Sequence, residues 1–233
     1  MIGIIAFPEL NTSNSLFPTN YVDWVESSGA KAVVLPYTIS PKQLLHCLDQ
    51  LSGLVWTGGS IETPKYSSLQ YDTYMNTLQL SFDIIQSYND EGRHFPLWGI
   101  CLGFEILVLL GKKTKLPTLF NHIQHHPKKG KECISFTKES SRLKDWFDKD
   151  MRNKMEHTPC AYHHHHLGFD IIPMKHLILV STNSGFINMI EYKKYPFYGV
   201  QFHPDQPFNS FSRKVSHQLS CFLKHELKLN KNN

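Results

Sequence analysis

The stretch FPLWGICLGFEIL, residues 95–107, decides how the rest of the chain is read. Its first part, 95–100, is an unbroken apolar run, the pattern of a strand buried on both faces of a parallel sheet. The following residues, 102–110, are apolar over a helical length and end at Gly111, a C-terminal stop. Between the two stands Cys101, with Gly99 and Gly103 on either side. A nucleophile on a sharp strand-to-helix corner needs small neighbours, because the tight backbone leaves no room for a Cβ beside it. The helix N-terminus aims amide N–H groups and the positive end of its dipole at the cysteine, which favours thiolate. The same amides, Leu102 N–H first, can hold a developing oxyanion. Read instead as a small buried hydrophobe, Cys101 would leave its flanking glycines unexplained.

Upstream of this corner, apolar runs at 2–7, 32–36 and 53–56 alternate with amphipathic stretches at 20–28, stopped by Gly29, and at 41–51. A long amphipathic helix is predicted over 73–89. Apolar strands alternating with helices predict an α/β fold, a three-layer sandwich whose mostly parallel central sheet carries helices on both faces. Downstream the pattern loosens. The basic, histidine-rich stretch 112–130 reads as loop and strand fragments, and the runs at 133–136, 178–181 and 186–192 read as antiparallel additions. Residues 198–202 read as a returning strand and 212–229 as the closing helix. With no internal repeat and no low-complexity linker, a single domain over 1–233 is expected.

Composition narrows the function classes. Of 233 residues, 41% are hydrophobic and 19% charged, too apolar for extended disorder. The formal charge of +4 comes from lysines interspersed with acids, with short basic runs at 112–115, at 128–131 and at the C-terminus, so no nucleic-acid partner is expected. The cysteines Cys47, Cys101, Cys133, Cys160 and Cys221 are odd in number and form no C-x-x-C pair, which signals neither a disulfide framework nor a zinc site. A reducing compartment fits them. No apolar run reaches membrane-spanning length, and the N-terminus reads straight into a strand without the features of a signal peptide. A soluble, cytoplasmic protein with no membrane partner is the expectation.

A cysteine nucleophile needs a base, and the stretch YPFYGVQFHPDQPF, residues 195–208, offers one. His203 directly follows an apolar run, Pro204 stops the strand, and Asp205 comes two residues on. That spacing suits an imidazole at the sheet's C-terminal edge, where parallel α/β sheets carry their sites. The nearby carboxylate would take the other ring N–H and fix the tautomer.

These motifs resemble those of the class I glutamine amidotransferase-like superfamily, with G-x-C-x-G for the nucleophile and H-P-E for its partners. Within it the chain is most similar to γ-glutamyl hydrolases, the cysteine peptidases of family C26. The resemblance runs through NYVDWVESSGAKAVVLPY (20–37), GLVWTGGSIE (53–62), the Cys101 stretch and the His203 stretch. It implies the flavodoxin-like fold of that superfamily and hydrolysis of γ-glutamyl bonds, typically in folyl- or antifolyl-poly-γ-glutamates. It also implies no metal or organic cofactor, and a homodimer, as relatives often are.

Carried over residue by residue, the resemblance makes Cys101 the nucleophile, His203 the general base and acid, and Asp205 the group that orients His203. Gly58 and Gly59 match a glycine pair whose backbone N–H joins Leu102 N–H in an oxyanion hole. Glu105 matches a glutamate close to the nucleophile and is assigned to substrate binding; its other reading is an ordinary acid in a helical first turn. AYHHHHLGF (161–169) aligns with an N-F-H-K-W-like segment beside the substrate, which sets His163 toward the substrate's terminal carboxylate. The other reading of the four-histidine run is a surface loop with adventitious affinity for metal ions. Asp205 departs from the family's usual glutamate, and its carboxylate would fall about 1 Å short of the histidine unless the backbone compensates. Two other functions use the same residues: a glutaminase subunit supplying ammonia to a partner synthase, and a catalytically weak binding protein of the same fold.

Overall fold

The apolar runs become the strands of one sheet. The computed structural model describes residues 1–60, 66–111, 124–170, 175–183 and 185–230. Its strands are β1 (Ile2–Ile5), β2 (Ala32–Leu35), β3 (Leu54–Trp56), β4 (Leu97–Ile100), β5 (Gln124–Glu132), β6 (Ser135–Phe136), β7 (Ala161–Gly168), β8 (Leu177–Asn183), β9 (Phe186–Tyr192) and β10 (Phe197–Val200). Its helices are α1 (Thr19–Glu26), α2 (Pro41–Gln50), α3 (Ser68–Asp90), α4 (Leu102–Gly111), α5 (Arg142–Asp145), α6 (Lys149–His157) and α7 (Ser210–Lys228). The main sheet runs β2-β1-β3-β4-β10-β9-β8-β6. It is parallel from β2 through β10, with Leu54 opposite Leu97 and Gly99 opposite Gly199, and antiparallel from β10 through β6.

Alternation along the central strands sends side chains into two cores. Trp56 packs with Leu44, Leu78, Phe82 and Leu107 under α2, α3 and α4. Val55 and Trp98 pack with Trp24, Leu219 and Phe222 under α1 and α7. Each such side chain contributes about 1.5–3 kcal/mol by leaving water, which is why the central strands are apolar on both faces. Among the described residues, no helix is long and apolar enough to cross a membrane.

Four local expectations need correction. α3 starts at Ser68, five residues before the predicted helix, because Ser67 and Gln70 form a capping box ahead of the apolar pattern. The predicted strand at 133–136 shrinks to the two residues of β6. Residues 142–145 and 149–157 are helices the hydrophobic pattern does not show; α6 buries only Met151 and Met155, and the side chain of its N-cap Asp148 accepts from Met151 N–H. The histidine run is not a surface loop but strand β7, paired with β5 in a separate two-stranded antiparallel sheet. The basic residues 112–123 and the C-terminal residues 231–233 lie outside the described residues.

Candidate active site

Cys101 occupies the turn from β4 into α4 with a backbone φ of 52°. For an L-residue that conformation is strained by roughly 1–3 kcal/mol and persists only where its surroundings impose it. Here Cys101 N–H donates to Val200 O at 2.9 Å, and Glu105 N–H donates to Cys101 O at 2.9 Å. The flanking glycines allow this close packing. A Cβ at Gly103 would stand 2.5 Å from Trp56 O, and one at Gly99 would stand 2.5 Å from the Gly103 backbone. The corner therefore sits at the C-terminal ends of β3, β4 and β10, with Cys101 at the start of α4.

His203 follows β10 by three residues, and its N–H donates to Tyr162 O at 2.8 Å. Its Nδ1 lies 3.2 Å from Asp205 Oδ1, and both side chains are buried. The shorter carboxylate thus reaches the ring, because a turn closed by Gln206 N–H to His203 O brings residue 205 up to it. Gln206 Nε2 donates to the other oxygen, Asp205 Oδ2, at 3.4 Å. With Nδ1–H directed at the carboxylate, Nε2 is the basic nitrogen.

Cys101 and His203 line one cleft of about 520 Å³, together with Gly58 and Gly59. Its wall also holds three residues that sequence reasoning did not select: Tyr21, His164 and His166. The exposed Leu16 and Phe17 form its rim. Tyr21 projects from α1, where its ring reads as one more apolar helical position. Its Oη accepts from Gly58 N–H at 3.0 Å and lies 3.5 Å from His203 Nδ1. Burial first, then the nearby Asp205 and Cys101, push the Tyr21 hydroxyl well above the ordinary tyrosine pKa, so it stays protonated.

That contact separates the two glycines expected to share an oxyanion-hole role. Gly58 N–H is already engaged by Tyr21, whereas Gly59 N–H and Leu102 N–H meet no acceptor among the described residues. Gly58 is needed for space: a Cβ there would lie 2.8 Å from Tyr21 Oη, 3.0 Å from His203 Cε1 and 3.1 Å from Cys101 Cβ.

The two residues assigned to substrate binding are off the cleft wall. Glu105 is 3% exposed and accepts from Gln201 Nε2 at 2.9 Å. His163 is 3% exposed and turned into the protein, because successive side chains of a strand point to opposite faces. His163 and His165 share the buried face of β7, with His163 Nδ1 3.1 Å from His165 Nε2 and His165 Nδ1 2.9 Å from Leu167 O. Burial is the main reason the pKa is pushed down to about 3 for His163 and about 4 for His165, so both are neutral. The intervening His164 and His166 face the cleft, and Cys101 Sγ lies 3.9 Å from His164 O. Counting alternate positions along 161–168 would have separated the two pairs, but not said which pair faces the cleft. Among the described residues no three of His, Cys, Asp and Glu converge as metal ligands.

Comparison with known proteins places the chain among relatives. The family model of peptidase C26 matches residues 3–205. The chain is 28% identical to γ-glutamyl hydrolase B of Dictyostelium discoideum over 96% of its own length and 68% of that protein's. It is 27% identical to human γ-glutamyl hydrolase over 80% of its length, but spans only 59% of the human protein. Among solved structures, a Thermoplasma acidophilum chain provisionally assigned to GMP synthase matches with a TM-score of 0.60. At 18% identity over 98% of both chains, that match shows a shared fold.

Proposed function

The chain belongs to the peptidase C26 family, and from that premise we propose that it is a cysteine hydrolase of γ-glutamyl bonds. Its substrates are folyl-poly-γ-glutamates or related γ-glutamyl conjugates; the names of its relatives support the γ-glutamyl bond, and the folyl group rests on the motif resemblance. The observation that carries the reading is the strained Cys101 at a helix N-terminus, on the wall of one cleft with an Asp205-oriented His203.

In the reaction, His203 Nε2 takes the proton of the Cys101 thiol, the resulting thiolate attacks the γ-carbonyl carbon, and the carbonyl electrons move onto oxygen. Leu102 N–H and Gly59 N–H supply backbone donors to that oxyanion. Tyr21 supplies a third: its oxygen already accepts from Gly58 N–H and the His203 Nδ1 proton is committed to Asp205, so the phenolic O–H is left to donate toward the cleft that Tyr21 lines. Each donor lowers the barrier by about 3 kcal/mol. His203 passes its Nε2 proton to the leaving amine as the C–N bond breaks, leaving a thioester. Water then gives a proton to His203 and attacks the thioester, releasing the γ-carboxylate product and restoring the Cys101 thiol.

The test is product analysis by mass spectrometry of pteroyl-penta-γ-glutamate incubated with the wild type and with Cys101→Ala. Shortened pteroyl products from the wild type alone are expected, and their lengths report internal or terminal cleavage. Intact substrate in both samples, with ammonia released from free glutamine, would replace this reading with a glutaminase.

A further inference from the structure

On the face of β7 turned away from the cleft, hydrogen bonds fix the histidine tautomers. His165 Nδ1 lies 2.9 Å from Leu167 O, which can only accept, so that nitrogen carries the proton. His165 is neutral, and its Nε2 is left with a lone pair. His163 Nδ1, 3.1 Å from that lone pair, is therefore the donor. His163 is neutral as well, so its own Nε2 is a bare, basic nitrogen, and it meets no hydrogen-bond partner among the described residues. Glu132 Oε2 stands 4.0 Å away, beyond hydrogen-bond reach, and accepts from Asn183 Nδ2 instead.

His163 lines a small cavity between the ribbon and β9, together with Asn188 and Gln201. Asn188 and Gln201 are each 2% exposed, yet both amide atoms of Asn188 and Gln201 Oε1 also meet no partner among the described residues. Buried polar atoms rarely stay unpaired. The cavity measures about 10 Å³, about the room that one water molecule needs. Its chemistry selects among small guests. His163 Nε2 and Gln201 Oε1 each require a donated proton, and Asn188 Nδ2–H requires an acceptor. Neither a metal ion nor an ammonium ion accepts from an N–H, whereas water both donates twice and accepts.

We propose that this cavity is an internal water site, and that its water completes a hydrogen-bonded chain from the helix behind the nucleophile to the ribbon. Gln201 Nε2 donates to Glu105 Oε1 at 2.9 Å, in the first turn of α4. The water donates to Gln201 Oε1 and His163 Nε2, and His163 and His165 carry the chain on to Leu167 O. Gln201 also donates its N–H to Asn188 O at 2.9 Å and stands two residues before His203. Glu105 and His163, assigned to the substrate by the motifs, thus become positioning residues: with the water between them they fix the end of β10, and so His203, against α4 and β7.

A high-resolution X-ray structure of the full-length wild type is expected to show one water within about 3.2 Å of His163 Nε2, Gln201 Oε1 and the Asn188 amide. Long-range ¹H–¹⁵N spectra of the same protein should show His163 and His165 both as the Nδ1–H tautomer. Asn188→Leu, similar in volume, replaces the amide by methyl groups. It should lose the water and lower kcat about tenfold on pteroyl-penta-γ-glutamate while KM stays within about twofold. Absent density, density that refines as a metal ion, or an Nε2–H tautomer at His163 overturns the site. An Asn188→Leu protein that loses the water but keeps its kcat overturns the positioning role. The two wild-type measurements decide even where the variant does not fold. They need no turnover, so an inactive wild type that shows the water and both tautomers would remove the hydrolase reading and leave the water site standing.

Discussion

On the wall of the cleft built from the ends of β3, β4 and β10, position is set by the main chain. Cys101 is held at φ 52° by bonds to Val200 O and from Glu105 N–H, and Gly58 leaves no space for a side chain. On the β7 wall, position is set by alternation alone: His163 and His165 go in, His164 and His166 face the cleft. A wall made of backbone fixes atoms to a few tenths of an ångström and tolerates little change, which suits bond breaking. A wall made of alternating side chains exchanges one residue at a time without moving the chain, which suits selecting the substrate.

The largest expected effect tests the backbone wall. Gly58→Ala places a methyl against Tyr21 Oη, His203 Cε1 and Cys101 Cβ. A loss of about 100-fold in kcat/KM is expected, with a lowered melting temperature from the overpacking; retained activity would show that this wall yields more than its packing implies. Tyr21→Phe comes next. It removes the phenolic donor but frees Gly58 N–H to face the oxyanion, so the loss in kcat should be about tenfold rather than the larger cost of a donor lost outright. A loss beyond about 100-fold would mean that Gly58 N–H cannot take over.

The third prediction probes the buried face of β7. His163 and His165 are held neutral, with pKa values about 3 and about 4, well below the roughly 6.5 of an unfolded chain. The unfolded chain therefore takes up protons the folded one refuses, and stability falls as pH drops from about 6.5 toward those lower values. Thermal melts of the His163→Gln/His165→Gln protein should show a flatter decline over that interval, and those of His164→Gln/His166→Gln should change the slope less, because the His164 pKa is lowered with far less burial. The smallest effect is Asp205→Glu. Because Asp205 Oδ1 already reaches His203 Nδ1 at 3.2 Å, kcat should stay within about twofold, and a large gain would show that the present carboxylate orients the ring poorly.

What the sequence revealed follows the same division. The Cys101 corner and the His203–Asp205 pair were legible because their determinants are covalent neighbours: glycines two residues away, a proline stop, a carboxylate two residues on. Tyr21 was not, because its partner Gly58 lies 37 residues along the chain and only folding brings its hydroxyl there. His163 was placed one position out of register with the cleft, since a run of four identical residues carries no mark of which face is buried. That choice is made by pairing with β5 and by contacts from outside the strand. α6 was missed because two buried methionines make too weak a periodicity, although Asp148 stood as its cap.

The bond from His203 N–H to Tyr162 O ties the proposed base to the separate two-stranded ribbon. Whenever thermal motion lifts β7 away, that amide loses its acceptor and the imidazole loses its anchor in the same event. The exchange rate of a single backbone proton, that of His203, therefore reports how often the ribbon opens. Every 1.4 kcal/mol of ribbon stability changes the share of disarmed molecules about tenfold, so a substitution remote from the cleft can throttle turnover without touching a reacting atom.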